Sequence, residues 1–165
     1  MALRARYIAV VARGMFKTFI TFTCIILVGG TIYFLYFRTS ADANFGSVTI
    51  GNKVFNVELA DTFAKRERGL SGRSDIGSDG MLFIFDTPGT YQFWMKDMKF
   101  SLDFIWIKNG RVVGTDIDIQ SPKEGETPAT ISSSSEANYV LEVPVGTVRK
   151  YGVDTGNQVE ISLGD

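Results

Sequence analysis

The sequence contains no histidine, and its one cysteine, Cys24, lies inside a long apolar run near the N-terminus. These scarcities exclude much chemistry from the rest of the chain. Zinc and copper sites built on imidazole and thiolate are excluded, as are Ser-His-Asp and Cys-His catalytic groups. Iron–sulfur clusters and His-ligated haem go with them. No disulfide can form beyond Cys24, so a domain there relies on its core for stability. The chain also lacks a Gly-rich phosphate loop, a dinucleotide fingerprint and any internal repeat. What survives is chemistry by carboxylate, lysine, arginine, tyrosine, serine or threonine, an oxygen-ligated ion, or binding without reaction. No cofactor is implied.

Acids are missing from the first 38 residues, which carry five bases: Arg4, Arg6, Arg13, Lys17 and Arg38. Of 17 bases and 18 acids in all, that leaves 12 bases against 18 acids in residues 39–165, a net of −6. An acidic domain repels phosphate backbones, which argues against nucleic acid as a partner. Between Lys17 and Arg38 lie 20 consecutive uncharged residues, rich in Phe, Ile, Leu and Val. As a helix they extend roughly 30 Å, the thickness of the hydrocarbon layer of a bilayer. The bases before the run place the N-terminus in the cytoplasm and the remainder across the membrane.

The expected organisation is a basic cytoplasmic tail (residues 1–17), a transmembrane helix or signal h-region (18–37), a linker (38–46) and an exported domain (47–165). Cleavage after Ala43, at the small-x-small site Ala41-Asp42-Ala43, is the alternative to an uncleaved anchor. An anchor suits the length of the run and the intervening Arg38 better. The residues before Cys24, Thr21-Phe22-Thr23, do not resemble a lipoprotein acceptor box, so Cys24 reads as a membrane-buried thiol. The expected location is a bacterial inner membrane, single pass, with the domain periplasmic or extracytoplasmic.

Hydrophobic residues make up 45% of the chain and phenylalanine occurs 13 times, enough for a real core. Val48–Ile50 and Val54–Leu59 around Gly51-Asn52 predict a hairpin. Asp61 is a candidate N-cap for a helix Thr62–Arg68 that Gly69 stops. Ser71–Gly80 is a Gly/Ser/Asp loop. Met81–Phe85 suits a buried strand, and Pro88-Gly89 turns the chain into a further strand, Tyr91–Met95. Leu102–Ile107, Asn109-Gly110 and Arg111–Ile119 form the clearest hairpin, because Asn-Gly suits a type I′ turn. Ser121–Glu136 reads as a long polar loop, and Asn138–Val143 and Gln158–Leu163 as closing strands. The expected fold is mainly β (α+β): a compact antiparallel barrel-like or sandwich domain with one or two short helices.

Several constellations could carry function. Glu67-Arg68-Gly69-Leu70-Ser71-Gly72-Arg73 sets two guanidinium groups about a helix end, where they suit carboxylate or phosphate recognition or simply pair with a domain carboxylate. Phe93-Trp94-Met95-Lys96 offers a stacking surface beside a cation, or core packing with Trp94 covering a barrel mouth. Asp103 and Glu142 are carboxylates inside apolar strands. Alternation puts Asp103 with Ile105 and Ile107, opposite Leu102, Phe104 and Trp106. Buried carboxylates are either structural partners of Arg68, Arg73 or Lys96, or an acid/base pair. Asp75–Gly80 partly imitates a calcium loop, but Gly77 supplies no ligand and Asp86 stands where a glutamate is wanted, so a plain loop is the better reading and no metal is expected.

Taken together, Arg68-Gly69-Leu70 with Arg73, Gly80-Met81-Leu82-Phe83, Phe93-Trp94-Met95-Lys96, Leu102-Asp103 and Val140-Leu141-Glu142 resemble domain-of-unknown-function family 192, over roughly Val54–Ile161. The resemblance implies an N-terminal export segment and a compact barrel-like β fold, and no activity or cofactor. Two departures stand out. The family usually follows Trp-Met-Lys with Asn-Thr, where this chain has Asp97-Met98, and ends with Gly-Asp, where it has Gly156-Asn157.

The leading expectation is an envelope binding or accessory module for a small polar or glycan-like ligand. Its cleft would be lined by Arg68, Arg73, Trp94, Lys96, Asp103 and Glu142. One alternative is a hydrolase or lyase using Asp103 and Glu142 as catalytic acid and base, which requires both carboxyl groups to face one cavity. The other is a structural partner of a membrane complex, which a broad exposed apolar patch would favour.

Overall fold

The computed structural model describes residues 44–164. The apolar run Thr18–Phe37 lies outside the described residues, and among those described no helix is long and apolar enough to cross a membrane.

The domain is mainly β. Its strands are β1 (Phe45–Ile50), β2 (Lys53–Ala60), β3 (Gly80–Gly89), β4 (Gln92–Trp94), β5 (Leu102–Lys108), β6 (Arg111–Ile119), β7 (Thr130–Ser132), β8 (Ala137–Pro144) and β9 (Val159–Leu163). Two short helices interrupt them, α1 (Phe63–Arg68) and α2 (Thr147–Tyr151). Seven strands form one curled sheet in the order β6-β5-β8-β3-β2-β1-β9, and β4 pairs with β7 in a small second sheet. The curl brings the two end strands together at one end: Val112 N–H donates to Asn157 O at 3.0 Å, and Val159 N–H to Gly110 O at 2.8 Å. Both edges are thereby tied off there, as in a barrel.

Turn chemistry sets the two predicted hairpins. Asn109 and Gly110 have φ of 51° and 68°, as a type I′ turn demands, and Lys108 faces Arg111 across it. Gly51, at φ 58°, turns β1 into β2 with Ile50 opposite Lys53.

Alternation along β5 divides the core. Ile105 and Ile107 join Val48, Phe55, Val57 and Leu141 in one cluster, which α2 covers with Val148. Leu102, Phe104 and Trp106 join Met81, Phe83, Met95 and Val140 in a second cluster on the other face. Because β5, β8 and β3 are covered on both faces, they read as nearly continuous apolar runs. Each large side chain sealed in this way contributes roughly 1.5–3 kcal/mol. The indole N–H of Trp106, the bulkiest of them, donates to Asp116 Oδ2 at 2.6 Å.

Several expectations need correction. The sheet is not wholly antiparallel: β2 and β3 pair in parallel, Leu59 beside Leu82, because the helix and loop between them give the chain length to cross over. The linker ends earlier than expected, with β1 already under way at Phe45. The N-cap of α1 is Thr62, whose hydroxyl accepts from Lys65 N–H at 3.3 Å, while Asp61 instead binds the Lys65 ammonium at 2.9 Å. Strand β3 runs on through Pro88 to Gly89, with its register against β8 broken after Ile84. The polar stretch Ser121–Glu136 contains β7.

Candidate functional site

A cleft of about 800 Å³ opens on the second face of the sheet, between α1, the far end of β3, β4 and the segment Met95–Met98. Its walls are fixed by backbone rather than by chance contacts. Arg66 donates to Ile84 O at 2.7 Å and Asp61 O at 2.9 Å, and its guanidinium lies 5.3 Å from the centre of the Phe85 ring. These contacts clamp α1 to β3. Gly69 then ends the helix at φ 49°, close enough to the Phe83 ring that a Cβ would meet it at 3.3 Å. The chain past the helix is stitched to the opposite wall: Ser71 Oγ donates to Lys96 O at 2.8 Å and Gly72 N–H to Asp97 O at 3.0 Å.

Aromatic rings build the interior. Phe93, from the centre of β4, meets Phe83, Phe104 and Trp106 edge-on at 4.9, 5.7 and 5.6 Å. Tyr91 stacks on Phe85 at 3.5 Å. With Phe93 turned inward, alternation sends Trp94 outward, where it is 58% exposed with the Lys96 ammonium 5.2 Å from its ring. Phe63, 74% exposed at the start of α1, stands on the facing wall.

The floor is Met95, Met98, Leu102 and Glu142. Glu142 is 6% exposed, and in the sheet it sits between Met81 and Phe104. No side-chain or backbone donor among the described residues reaches its carboxyl. Burial among apolar neighbours pushes that carboxyl up to about 8, so at neutral pH it is mostly uncharged. It can then donate one hydrogen bond and accept others.

Four of the six anticipated residues meet here: Arg68, Trp94, Lys96 and Glu142. Two do not. Arg73 forks onto Glu58 at 2.6 and 2.9 Å, away from the cleft, and the carboxylate beside it raises the guanidinium further above its ordinary range. Asp103 is fully buried on the opposite face, with Oδ1 accepting Asp118 N–H at 2.9 Å and Oδ2 accepting Val148 N–H at 3.0 Å. It fastens β6 and the start of α2 to the sheet. Asp103 lies beside Val143 and Glu142 beside Phe104, so the two carboxylates point to opposite faces. They cannot act as an acid/base pair across one substrate. In the Asp75–Gly80 loop, Asp79 is occupied by Lys53 Nζ at 3.3 Å and Asn56 N–H at 2.9 Å.

Phe63, Phe85 and Tyr91 also line the cleft; Phe85 and Tyr91 were expected only as strand residues, and a phenylalanine opening an otherwise polar helix was the one available signal for Phe63.

Comparison with known proteins places this geometry in a family. The model of DUF192, described as an uncharacterised ACR, matches residues 46–161. A UPF0127 protein from Thermococcus kodakarensis is 30% identical over 105 residues, covering 62% of this chain and 62% of the relative. One from Thermococcus gammatolerans is 30% identical over 106 residues, covering 63% and 65%. The chain thus matches under two thirds of the length of either relative. A crystal structure from Sinorhizobium meliloti, described as a candidate transcription regulator, superposes with a TM-score of 0.60 at 30% identity, over 72% of this chain and 92% of that one. A Novosphingobium aromaticivorans protein of unknown function superposes with a TM-score of 0.59 at 31% identity, over 70% and 83%.

Proposed function

This chain belongs to the uncharacterised DUF192 family, and for it we propose a binding or accessory role in the cell envelope, the cleft between α1 and β4 taking a small polar, glycan-like ligand. The observation that carries the reading is Glu142, a carboxyl that is 6% exposed, faces an aromatic-walled cleft and lacks a protein donor. Glu142 has only solvent in the cleft to bond with, and a ligand hydroxyl or amide can take the place of that solvent at the bottom of the cleft. The outward faces of Trp94 and Phe63 offer stacking surfaces for the apolar side of a sugar ring. Arg68 and Lys96 have no ion-pair partner among the described residues and lie at the cleft, available to polar substituents.

The structural-partner alternative draws on other exposed apolar residues: Phe45 and Leu163 neighbour one another across β1 and β9, Val54, Ile117, Val145 and Tyr151 lie on further elements or loops, and Phe63 and Trp94 share the cleft. A nucleic-acid role, suggested by the description of the Sinorhizobium structure, fits poorly with a net of −6 over residues 39–165.

The proposal includes an extracytoplasmic setting, with Thr18–Phe37 as a single-pass anchor or, alternatively, a segment removed by cleavage after Ala43. Protease added to intact spheroplasts should digest residues 44–165; digestion only after lysis would place the domain in the cytoplasm instead.

Binding is tested by thermal shift on the full chain in detergent, against neutral and acidic oligosaccharides and other envelope metabolites. A ligand of the folded state raises the melting temperature by mass action. The expected result is a saccharide-dependent rise that Trp94→Ala abolishes while leaving the unliganded melting temperature nearly unchanged. A panel without any hit, or a hit untouched by Trp94→Ala, would count against this cleft as the site.

A further inference from the structure

The charges of the cleft are sorted by depth. Arg66, Arg68 and Lys96 share its sides with Glu67 and Asp86. Arg66 is committed to backbone carbonyls, so Arg68 and Lys96, both exposed, are the cations free to meet a ligand. Glu142 lies beneath, beside Met81 and Phe104 in the sheet and with Met95, Met98 and Leu102 around the floor. None of those neighbours carries a dipole able to stabilise a carboxylate.

Resting on the ligand-binding reading above, the geometry points to an acidic sugar as the occupant, its ring stacked on Trp94, its carboxylate held by Arg68 and Lys96, and an uncharged hydroxyl or amide inserted against Glu142. An anion is favoured locally, between Arg68 on α1 and Lys96 on the opposite wall, since Glu67 and Asp86 line the same cleft and leave its opening without a net positive charge. A carboxylate matches the planar fork of arginine better than a hydroxyl does. The deep end of the ligand must be neutral, since a second anion there meets an apolar floor and an ammonium would have to ionise Glu142 to be matched. A protonated carboxyl offers one O–H donor and one carbonyl acceptor, which a sugar hydroxyl or an N-acyl amide satisfies together.

Two consequences separate this from a generic polar cleft. Discrimination between charged and neutral sugars resides in Arg68 and Lys96. Affinity depends on the protonated form of Glu142 and on an ionised ligand carboxylate, so it holds steady from the ordinary carboxylate range up to pH 8 and falls above it, where burial no longer keeps Glu142 neutral. The other titratable groups facing the cleft are Arg66, Glu67 and Arg68 from α1, Asp86 from β3, Tyr91 before β4 and Lys96 after it. Their contribution is subtracted by repeating the profile with Glu142→Gln, which keeps a donor and an acceptor and cannot ionise.

Isothermal titration of the full chain in detergent, with a hexuronate disaccharide and the matching neutral hexose disaccharide, tests the assignment. Wild type is expected to favour the uronate by about tenfold, a preference lost in the Arg68→Met/Lys96→Met double variant. Glu142→Gln should bind the uronate with an affinity that no longer falls above pH 8, whereas Glu142→Leu should bind neither sugar while remaining folded by melting. Equal affinity of wild type for the two sugars, or a preference that survives the double variant, overturns the acidic-sugar assignment and leaves the cleft as a sugar site. Failure of wild type to bind either sugar overturns both.

Discussion

Asp103 and Glu142 are two carboxylates of adjacent strands with opposite fates. Asp103 meets two backbone N–H groups, Asp118 and Val148, at 2.9 and 3.0 Å, and so holds two distant segments onto β5. Replacing it with alanine orphans both donors at once. The expected loss is about 3–5 kcal/mol, measured by urea unfolding, as for other buried charged hydrogen-bond acceptors. A loss under about 1 kcal/mol would mean that water replaces the carboxylate. Glu142 has no such partners, and its signature is pH dependence. Its carboxyl titrates near 4.5 when the chain is unfolded and about 8 when folded. The stability it contributes is therefore fully present below pH 4.5 and is lost as pH rises through 8. Over that window wild type should lose roughly 5 kcal/mol relative to Glu142→Gln, read from urea midpoints at the two ends. Parallel profiles for the two proteins would contradict a buried neutral Glu142.

The sequence made each of these carboxylates conspicuous but could not relate them. Alternation placed Asp103 correctly with Ile105 and Ile107. Whether Glu142 shares its face depends on the register between β5 and β8, one residue of which decides the matter. Arg68 and Arg73 pose the same difficulty. Arg73 is structural because β2 brings Glu58 beside it from 15 residues away, a meeting that no local pattern announces.

At the scale of elements, the hairpins were legible because Asn109-Gly110 and Gly51-Asn52 dictate their own turns. Strand β7 was not: only Ile131 is buried there, amid serine and threonine, and the strand exists because β4 needs a partner. Helix α2 escaped because its N-cap is Gly146, which offers no capping side chain, and the element is five residues long. The turn after β4 is a clearer case. Asp97 has φ 57°, a left-handed conformation in which asparagine and aspartate are the favoured non-glycine residues. An asparagine at this point meets the same backbone requirement, so it differs from Asp97 in charge and not in shape. Accordingly Asp97→Asn should leave the melting temperature nearly unchanged, while Asp97→Ala should cost about 1–2 kcal/mol and loosen the Ser71–Lys96 wall of the cleft. Equal melting temperatures for the two variants would show that the turn relaxes.

For the whole molecule, curling of the sheet separates two tasks. The face built on Val48, Phe55, Ile105 and Leu141 is closed by the returning strands and by α2. The other face is roofed by the small β4–β7 sheet and α1, which leave the cleft between them. A mainly β domain with short helices was foreseeable from strand spacing and turn residues. The parallel β2–β3 pair was not, because helix α1 and the Ser71–Gly80 loop had no reason in sequence to be a crossover. The proposed function depends on the open face, and within it on one buried carboxyl. The most direct test is a carbon-detected NMR titration of the Glu142 carboxyl in the full chain, with and without the hexuronate disaccharide. The expected midpoint is about 8 in the free protein, moving upward when the sugar is bound. A midpoint in the ordinary carboxylate range, unmoved by the sugar, would contradict the proposed function.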